Sequence, residues 1–403
     1  MNVPKLRFKE FNDEWQPINL ADIFQYFSTN SLSREKLSES GILKNLHYGD
    51  IHRKYNSIVN ENKEITSYVK DLNYVNKYEL LKNNDLIFAD ASEDYKGIGK
   101  AVEVVNVNNN TVSGLHTILV RDNSNVFAPM FKGYYFNSPT VHNQIRVLAN
   151  GFKVYGISKE VINKLNIKIP SINEQSKIAN TLYLLDEKIE LQTKKIEDLK
   201  LFKKGLLIKE FNNKKCSNKL KECFDFGKAG GTPKSTNKEY YNGYIPFLSI
   251  SDMTTQGKYI YYTNKSITEA GLNNSTAWLV PKNSIIISMY ASYGLVSINK
   301  IDLTTSQAMF NMVINKNYVV EYIYYYLYYL YISNFYNSIV STGTQSNLNA
   351  EQIKLLDMYI PCYNEQKRIY EQFSKIDFKI NLEQKKINEL LYLKKGLMQN
   401  MFV

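Results

Sequence analysis

Cysteine is scarce in this sequence, and what there is forms no reactive pattern. Cys216, Cys223 and Cys362 include no Cys-x-x-Cys pair, and His47, His52, His116 and His142 do not complete a zinc motif. Three reduced thiols are expected, which implies a reducing compartment. The opening residues (MNVPKLRFKEFNDEW) are polar and lack the apolar core of a signal peptide, so a cytoplasmic protein is expected. Long hydrophobic runs are missing as well. The greasiest stretch, Tyr322–Tyr331, is ten residues of mostly tyrosine, too short to span a bilayer, and it reads as a buried or half-buried helix.

The usual catalytic motifs are also absent. A phosphate-binding G-x-x-x-x-G-K-[ST] loop fails at Gly99-Lys100, Gly227-Lys228 and Gly257-Lys258, each followed by the wrong residue. No Pro-Pro occurs, which removes the Asn/Asp-Pro-Pro-aromatic motif an amino-methyltransferase would use. Gly97-Ile98-Gly99-Lys100 lacks the third glycine of a dinucleotide loop and reads as a β-turn. Asp85, Asp90 and Glu93 read as solvated loop residues rather than Mg²⁺ ligands. The expectation is no catalytic residue, no metal site and no cofactor in this chain.

What is present is positive charge and a repeat. Lys and Arg total 50 against 39 Asp and Glu, a net +11 that favours a polyanion, nucleic acid before membrane. With 403 residues, 44% of them hydrophobic, the chain is sized for two or three packed domains. Residues 170–211 and 361–402 align without a gap at a shift of 191, with 18 identities in 42 positions. Each copy opens on a proline after a strand-like run (Leu165–Ile169, Leu356–Ile360). Asn173 and Asn364 stand where a helix N-cap belongs, and Glu174 and Glu365 suit the positive end of the helix dipole.

Beyond that point the apolar residues repeat at spacings of four and three. The seam runs through Ile178, Leu182, Leu185, Ile189, Ile196, Leu199 and Leu206, and through Ile369, Phe373, Ile376, Ile380, Ile387, Leu390 and Leu397. The polar breaks coincide too, Gln192 with Glu383 and Lys203 with Lys394, as expected of a specified pairing. The simplest partner for each helix is the other copy, in an antiparallel coiled coil with pseudo-twofold symmetry; each helix would be roughly 55 Å long. Two ordinary bundle helices within one larger globule are the plainer alternative. Counting charges gives +1 for residues 174–211 and +3 for 365–403, so +7 of the +11 lies in the intervening blocks.

Those blocks, residues 1–160 and 212–350, are similar in length and weakly alike in sequence. Each opens on a short segment leading to a helix (Trp15–Leu20, Asn218–Cys223). Each then has a polar turn before an apolar strand, Lys82–Phe88 answering to Lys282–Ile287, followed by strands at Gly97–Val105 and Gly294–Ile298. The fold class expected is mixed α/β: two globular domains separated by central and C-terminal helical segments at residues 161–211 and 351–403.

The arrangement resembles the specificity subunit of type I restriction-modification systems. Ile169-Pro170-x-x-Asn173-Glu174-Gln175, repeated as Ile360-Pro361-x-x-Asn364-Glu365-Gln366, resembles the family's junction between recognition domain and helix. The Lys-Lys-Gly-Leu endings resemble its helix ends. Gly230-Gly231-Thr232-Pro233, Ile245–Leu248, Ser251-Asp252 and Thr342–Leu348 resemble recognition-domain segments. The first block departs from the pattern, with His47-Tyr48-Gly49-Asp50-Ile51 at the equivalent place.

The resemblance implies a non-catalytic adaptor that reads a bipartite double-stranded DNA target, one half-site per block. It would scaffold two modification subunits that use S-adenosylmethionine to methylate adenine N6, and two restriction subunits driven by ATP and Mg²⁺. Half-sites one turn apart lie about 34 Å from each other, a span the helices could set. A stand-alone sequence-specific DNA-binding regulator is the alternative, and a structural coiled-coil protein a further one. Candidate DNA contacts are polar or basic loop residues beside small ones. In the first block these are His47, Tyr48, Asp50, His52, Arg53, Lys54, Ser92, Lys96 and His116. In the second they are Lys228, Thr232, Lys234, Ser251, Asp252, Tyr290, Ser292, Tyr293, Thr344, Gln345 and Asn347. An ordinary solvated side chain is the competing reading for each.

Overall fold

The computed structural model describes residues 3–65, 67–75, 77–151, 154–216, 218–290, 292–340 and 347–403. The chain divides into two compact units, Met1–Thr193 with Lys385–Val403, and Lys194–Gln384. Each long helix, Ile172–Phe211 and Tyr363–Asn400, therefore contributes one end to each unit.

Unit 1 is built on a five-stranded sheet. In chain order its strands are β1 (Phe24–Phe27), β2 (Ile58–Asn60), β3 (Leu86–Ala89), β4 (Ala101–Val105) and β5 (Thr117–Asp122), and in space they run β1-β5-β3-β4-β2. The central β3 is apolar on both faces and wholly buried, as a strand covered on both sides must be. A second sheet places Lys44–Leu46 parallel to Thr111–Ser113. Helix α1 (Tyr48–Arg53) follows directly, and α2 (Phe131–Phe136) is entirely buried in the core.

Unit 2 repeats this plan. Its sheet strands are β6 (Phe224–Ala229), β7 (Tyr259–Ile260), β8 (Ile285–Ser288), β9 (Val296–Asn299) and β10 (Met309–Ile314), ordered β6-β10-β8-β9-β7. Tyr241–Leu248 pairs parallel with Thr304–Thr305 and leads into α3 (Ile250–Gln256). The tyrosine run forms α4 (Val320–Ile332), as the sequence suggests. The turn before each central strand holds a left-handed asparagine, Asn84 at φ 68° and Asn283 at φ 66°, a conformation asparagine tolerates better than most residues. These two asparagines fix an offset of 199, one less than setting Lys82 against Lys282 implies.

The helices begin earlier than their motif suggests. Asn173 and Asn364 lie inside them, not at the caps. Ser171 Oγ accepts from Glu174 N at 3.4 Å, and the Cys362 carbonyl accepts from Glu365 N and Gln366 N at 3.0 Å. The motif's glutamine has the structural duty instead. Gln175 accepts from Ala128 N at 2.9 Å and donates to the carbonyls of Val126 and Pro170. Gln366 likewise accepts from Val319 N at 3.0 Å and donates to Pro361 O at 2.9 Å. Each glutamine stitches its helix to the block before it. Glu174 is buried against Arg7 at 2.8 Å, whereas Glu365 pairs with Arg368 on its own helix.

Within each unit the helical segments run antiparallel. In unit 1 Asp186 meets Lys394 at 2.5 Å; in unit 2 Asp377 meets Lys203 at 2.5 Å, Glu383 meets Lys195 at 2.7 Å and Glu210 faces Arg368 at 3.8 Å. The residue numbers in each pair sum to 578 or 580, the signature of one antiparallel register. A block tyrosine completes each latch: Tyr134 Oη donates to Asp186 at 3.0 Å and Tyr325 Oη to Asp377 at 2.5 Å. Tyrosine, aspartate and lysine all repeat at the 191-residue shift. The polar breaks Lys203 and Lys394 are thus the cations of the latches.

Of the seam residues, Ile178, Leu182, Leu185, Ile196, Ile369, Phe373 and Ile387 are buried and the other seven half-buried. The first turns serve the blocks as much as the helix pair, since Ile178 and Leu182 join the unit 1 core and Ile369 and Phe373 the unit 2 core. The closing phenylalanines plug the same cores. Phe402 packs on Phe131 and Tyr135, with ring centres 6.0 and 5.6 Å away; Phe211 packs on Tyr322 and Tyr326 at 5.9 and 5.2 Å.

Candidate nucleic-acid interface

In unit 1 the fold draws most of the sequence candidates to one place. Helix α1 starts at the end of a short strand, so His47, Tyr48, His52 and Arg53 line a cleft of about 510 Å³ together with Ser92 of the two-residue strand Ala91–Ser92 that follows β3. His116, exposed at φ 54°, reaches the rim: its ring lies 5.2 Å from that of Tyr48, and Nδ1 is 3.1 Å from Asp90 Oδ1. Two cations of this cleft carry no local sequence signal, Arg34 and Lys100. Gly97 also lines it, and a side chain there would press on Ser92 Oγ and the His52 ring. Lys54 lies on the far side of Arg34, and Lys96 is exposed in an adjoining pocket with Lys100, His142 and Lys394.

The side chains divide into those that face the cleft and those that build it. Asp50 is fully buried: Arg34 grips both its oxygens at 2.7 and 3.1 Å, and Lys54 approaches to 3.2 Å. Burial works to raise its pKa, but these two cations hold it below the ordinary carboxylate value. Its oxygens are committed to fixing α1. Ser92 is buried too, donating to Asp94 O at 2.8 Å. His47 caps α1, its Nδ1 accepting from Gly49 N at 3.1 Å; burial, and then the Arg34 charge, push its pKa down to about 4. His52 Nε2 donates to Ala91 O at 2.9 Å. Burial lowers the Lys100 amine, with Lys394 adding to the effect; it donates to Tyr55 O at 2.7 Å.

Unit 2 places its candidates more widely. Ser249 caps α3, with Ser251 exposed beside it. Asp252 is fully buried and accepts from Ser249 N and Oγ at 2.9 and 2.6 Å and from Asn264 Nδ2 at 2.6 Å. It occupies the third helical position, as Asp50 does in α1. Thr232, exposed, bonds Gln307, while Gly230 and Gly231 are packed so closely on Thr305 and Ala277 that a side chain at either would clash. Lys228 and Lys234 are exposed on β6 and the loop beyond it. Ser292 and Tyr293 line a cavity of about 270 Å³, where Tyr293 Oη donates to Asn337 at 2.8 Å. Tyr290 is exposed and Asn347 half-buried; Thr344 and Gln345 lie outside the described residues. The exposed Tyr261 and Tyr262, held by Gln256 at the end of α3, were not among the candidates.

Among the described residues no group of His, Cys, Asp and Glu is placed to hold a metal ion, and no helix is long and apolar enough to cross a membrane.

Comparison with known proteins gives one answer. Residues 12–201 and 213–392 each match the model of the type I restriction modification DNA specificity domain. The chain is 31% identical over 176 residues to the type I restriction enzyme MjaIX specificity subunit of Methanocaldococcus jannaschii, covering 43% of this chain and 40% of that protein. A match to the HindI specificity subunit of Haemophilus influenzae, 28% identical, covers 42% of this chain and 38% of that protein. The chain thus spans about two fifths of these two relatives. With the putative MjaX specificity subunit of M. jannaschii it shares 23% identity over 98% of this chain and 95% of that protein. Its fold is like that of the type I restriction-modification S subunit from M. genitalium (TM-score 0.57, 16% identical, 100% of this chain and 99% of that one). It is also like a chain from a study of complex assembly and conformational transition in the type I system (TM-score 0.60, 16% identical, 97% and 98%). The chain belongs to the type I restriction-modification DNA specificity family.

Proposed function

We propose that each unit reads one half of a bipartite double-stranded DNA target, and that the long helices set the distance between the half-sites. The observation that carries this reading is that the specificity-domain model matches twice, once per block, on two units of identical strand order. The chain's net charge of +11, of which +7 lies outside the long helices, suits phosphate contact, which supplies sequence-independent affinity. The chain itself is non-catalytic. Methyl transfer to adenine N6 belongs to two modification subunits that hold S-adenosylmethionine, and translocation and cleavage to two restriction subunits that use ATP and Mg²⁺. Exposed apolar side chains on the helices (Leu191, Leu201, Phe202, Phe378, Leu382 and Tyr392) support their use as the scaffold.

The test is to map methylated adenines in cells making this chain with its host's modification subunit. The expected result is one motif of two short half-sites separated by unread bases. Exchanging residues 1–160 for the block of another family member should change one half-site and leave the other. Methyl transfer or cleavage by the purified chain alone would overturn the reading, as would a change in both half-sites after the exchange.

A further inference from the structure

The cleft of unit 1 holds a hydrogen-bond donor with nothing to donate to. His47 is 4% exposed and lines the cleft. Its Nδ1 is occupied as an acceptor, capping α1 through Gly49 N at 3.1 Å. An imidazole that accepts at Nδ1 carries its proton on Nε2. That Nε2–H has no hydrogen-bond partner among the described residues and is not one of their fully buried unpaired atoms, so it opens to the cleft. The ring is held against drift by Tyr48, whose centre is 4.7 Å away. Arg34, clamped on Asp50, is the neighbouring cation that disfavours a second proton on the ring. The result is a fixed, neutral, single donor.

We propose that His47 is a specificity-determining residue of the first half-site, its Nε2–H donating to an acceptor on a base edge: a purine N7, guanine O6 or thymine O4. This deepens the reading of unit 1 as a half-site reader and rests on it. A single neutral donor on a nearly buried ring lining a cleft is less suited to a phosphate than Arg53 and Lys96, which stand exposed. The second unit supplies the control. Ser249 takes the same N-cap position on α3, accepting from Asp252 N, and carries no ring to project a second polar atom.

His47→Ser is therefore the test variant, since serine keeps the helix cap and removes the Nε2 donor. The variant and wild type, each made with the host's modification subunit, are compared by methylated-adenine mapping and by competition binding to duplexes substituted one base pair at a time. The expected result is that one position of one half-site becomes degenerate, its discrimination falling about tenfold or more, while the other half-site is unchanged. His47→Asn, which keeps both a cap acceptor and a donor, should retain part of that discrimination. An unchanged motif in His47→Ser overturns the proposal. So does a uniform loss of affinity across all duplexes, which would make His47 a phosphate contact or a structural cap only. A wild-type motif that is not bipartite would unseat the half-site reading itself, a result distinct from either.

Discussion

The two units share strand order, latches and helix plugs, yet fill one core position in opposite ways. In unit 1 Glu103 of β4 is fully buried; Lys132 Nζ lies 3.4 Å away, and Met130 N and Gly133 N each donate to the carboxylate at 2.8 Å. Glu103 lies opposite Leu86 in the sheet, as Ile298 lies opposite Ile285, and the 191-residue shift sets Ile323 where Lys132 stands. Both isoleucines are buried in the unit 2 core. One frame thus closes over an ion pair in one unit and over aliphatic carbon in the other. The helix ends and latches carry the architecture, and the chemistry beneath them is exchangeable.

That comparison breaks most visibly at Lys132. Lys132→Ile alone strands a buried carboxylate, and we expect it to cost about 3–5 kcal/mol in denaturant unfolding followed through unit 1. Adding Glu103→Ile should recover most of the loss. Recovery should stop short of complete if the amides of Met130 and Gly133 stay unpaired, a cost of about 1–3 kcal/mol. A double variant no more stable than the single one would show that the two cores are not interchangeable.

The latches sharpen the comparison at a smaller scale. Asp186 serves Tyr134 and Lys394, whereas Asp377 serves Tyr325 and Lys203 and has Lys258 at 3.5 Å as well. Asp377→Ala should cost about 2–3 kcal/mol and Asp186→Ala about 1–2 kcal/mol, measured by thermal unfolding, because charged hydrogen bonds are each worth about 1.5–3 kcal/mol before relaxation. Equal losses would mean that Lys258 adds nothing to its latch.

Much of this frame is legible in the sequence because it is local or repeated. The ungapped shift exposes the long helices, and the four-three spacing finds a seam whose members are all buried or half-buried. The repeated lysines mark themselves as unusual by breaking that seam. Their partners do not, since Asp186 and Asp377 meet them only once the antiparallel register is known. Phe211 and Phe402 read as the last letters of a repeat; that each plugs a core follows from tertiary packing. Asn173 and Asn364 mislead, because a helix can start before its best capping residue when Gln175 or Gln366 ties it to the preceding block. At the cleft, His47, Tyr48 and His52 are adjacent in sequence, so their grouping is visible. Arg34 and Lys100 arrive through the fold, and Asp50 and Asp252 have the composition of base readers while serving as buried braces.

The last contrast is a pH dependence at the position where the latches differ, Lys258. Tyr259 lies opposite Ile298 as Ile58 lies opposite Glu103, so Ser57 is the unit 1 counterpart of Lys258. Lys258 Nζ accompanies Tyr325 Oη at 2.7 Å and sits 4.1 Å from that ring's centre. Burial lowers its pKa to about 8, with Asp377 opposing the shift. The unfolded chain holds that proton up to the ordinary lysine value near 10.4, so between about pH 8 and 10 the unfolded state binds more protons than the folded one. Stability from this group therefore rises with pH across the window and is flat below it. The neighbouring tyrosines ionise in wild type and variant alike, and their contribution cancels in the difference. Wild type minus Lys258→Met should gain stability by up to about 1 kcal/mol per pH unit from pH 8 to 10, read from paired unfolding curves. In unit 1 Ser57→Met should show no such slope, because no lysine stands there to lose a proton. A flat difference in unit 2 would place Lys258 in solvent contact and reduce the contrast between the latches to that of Asp377 alone.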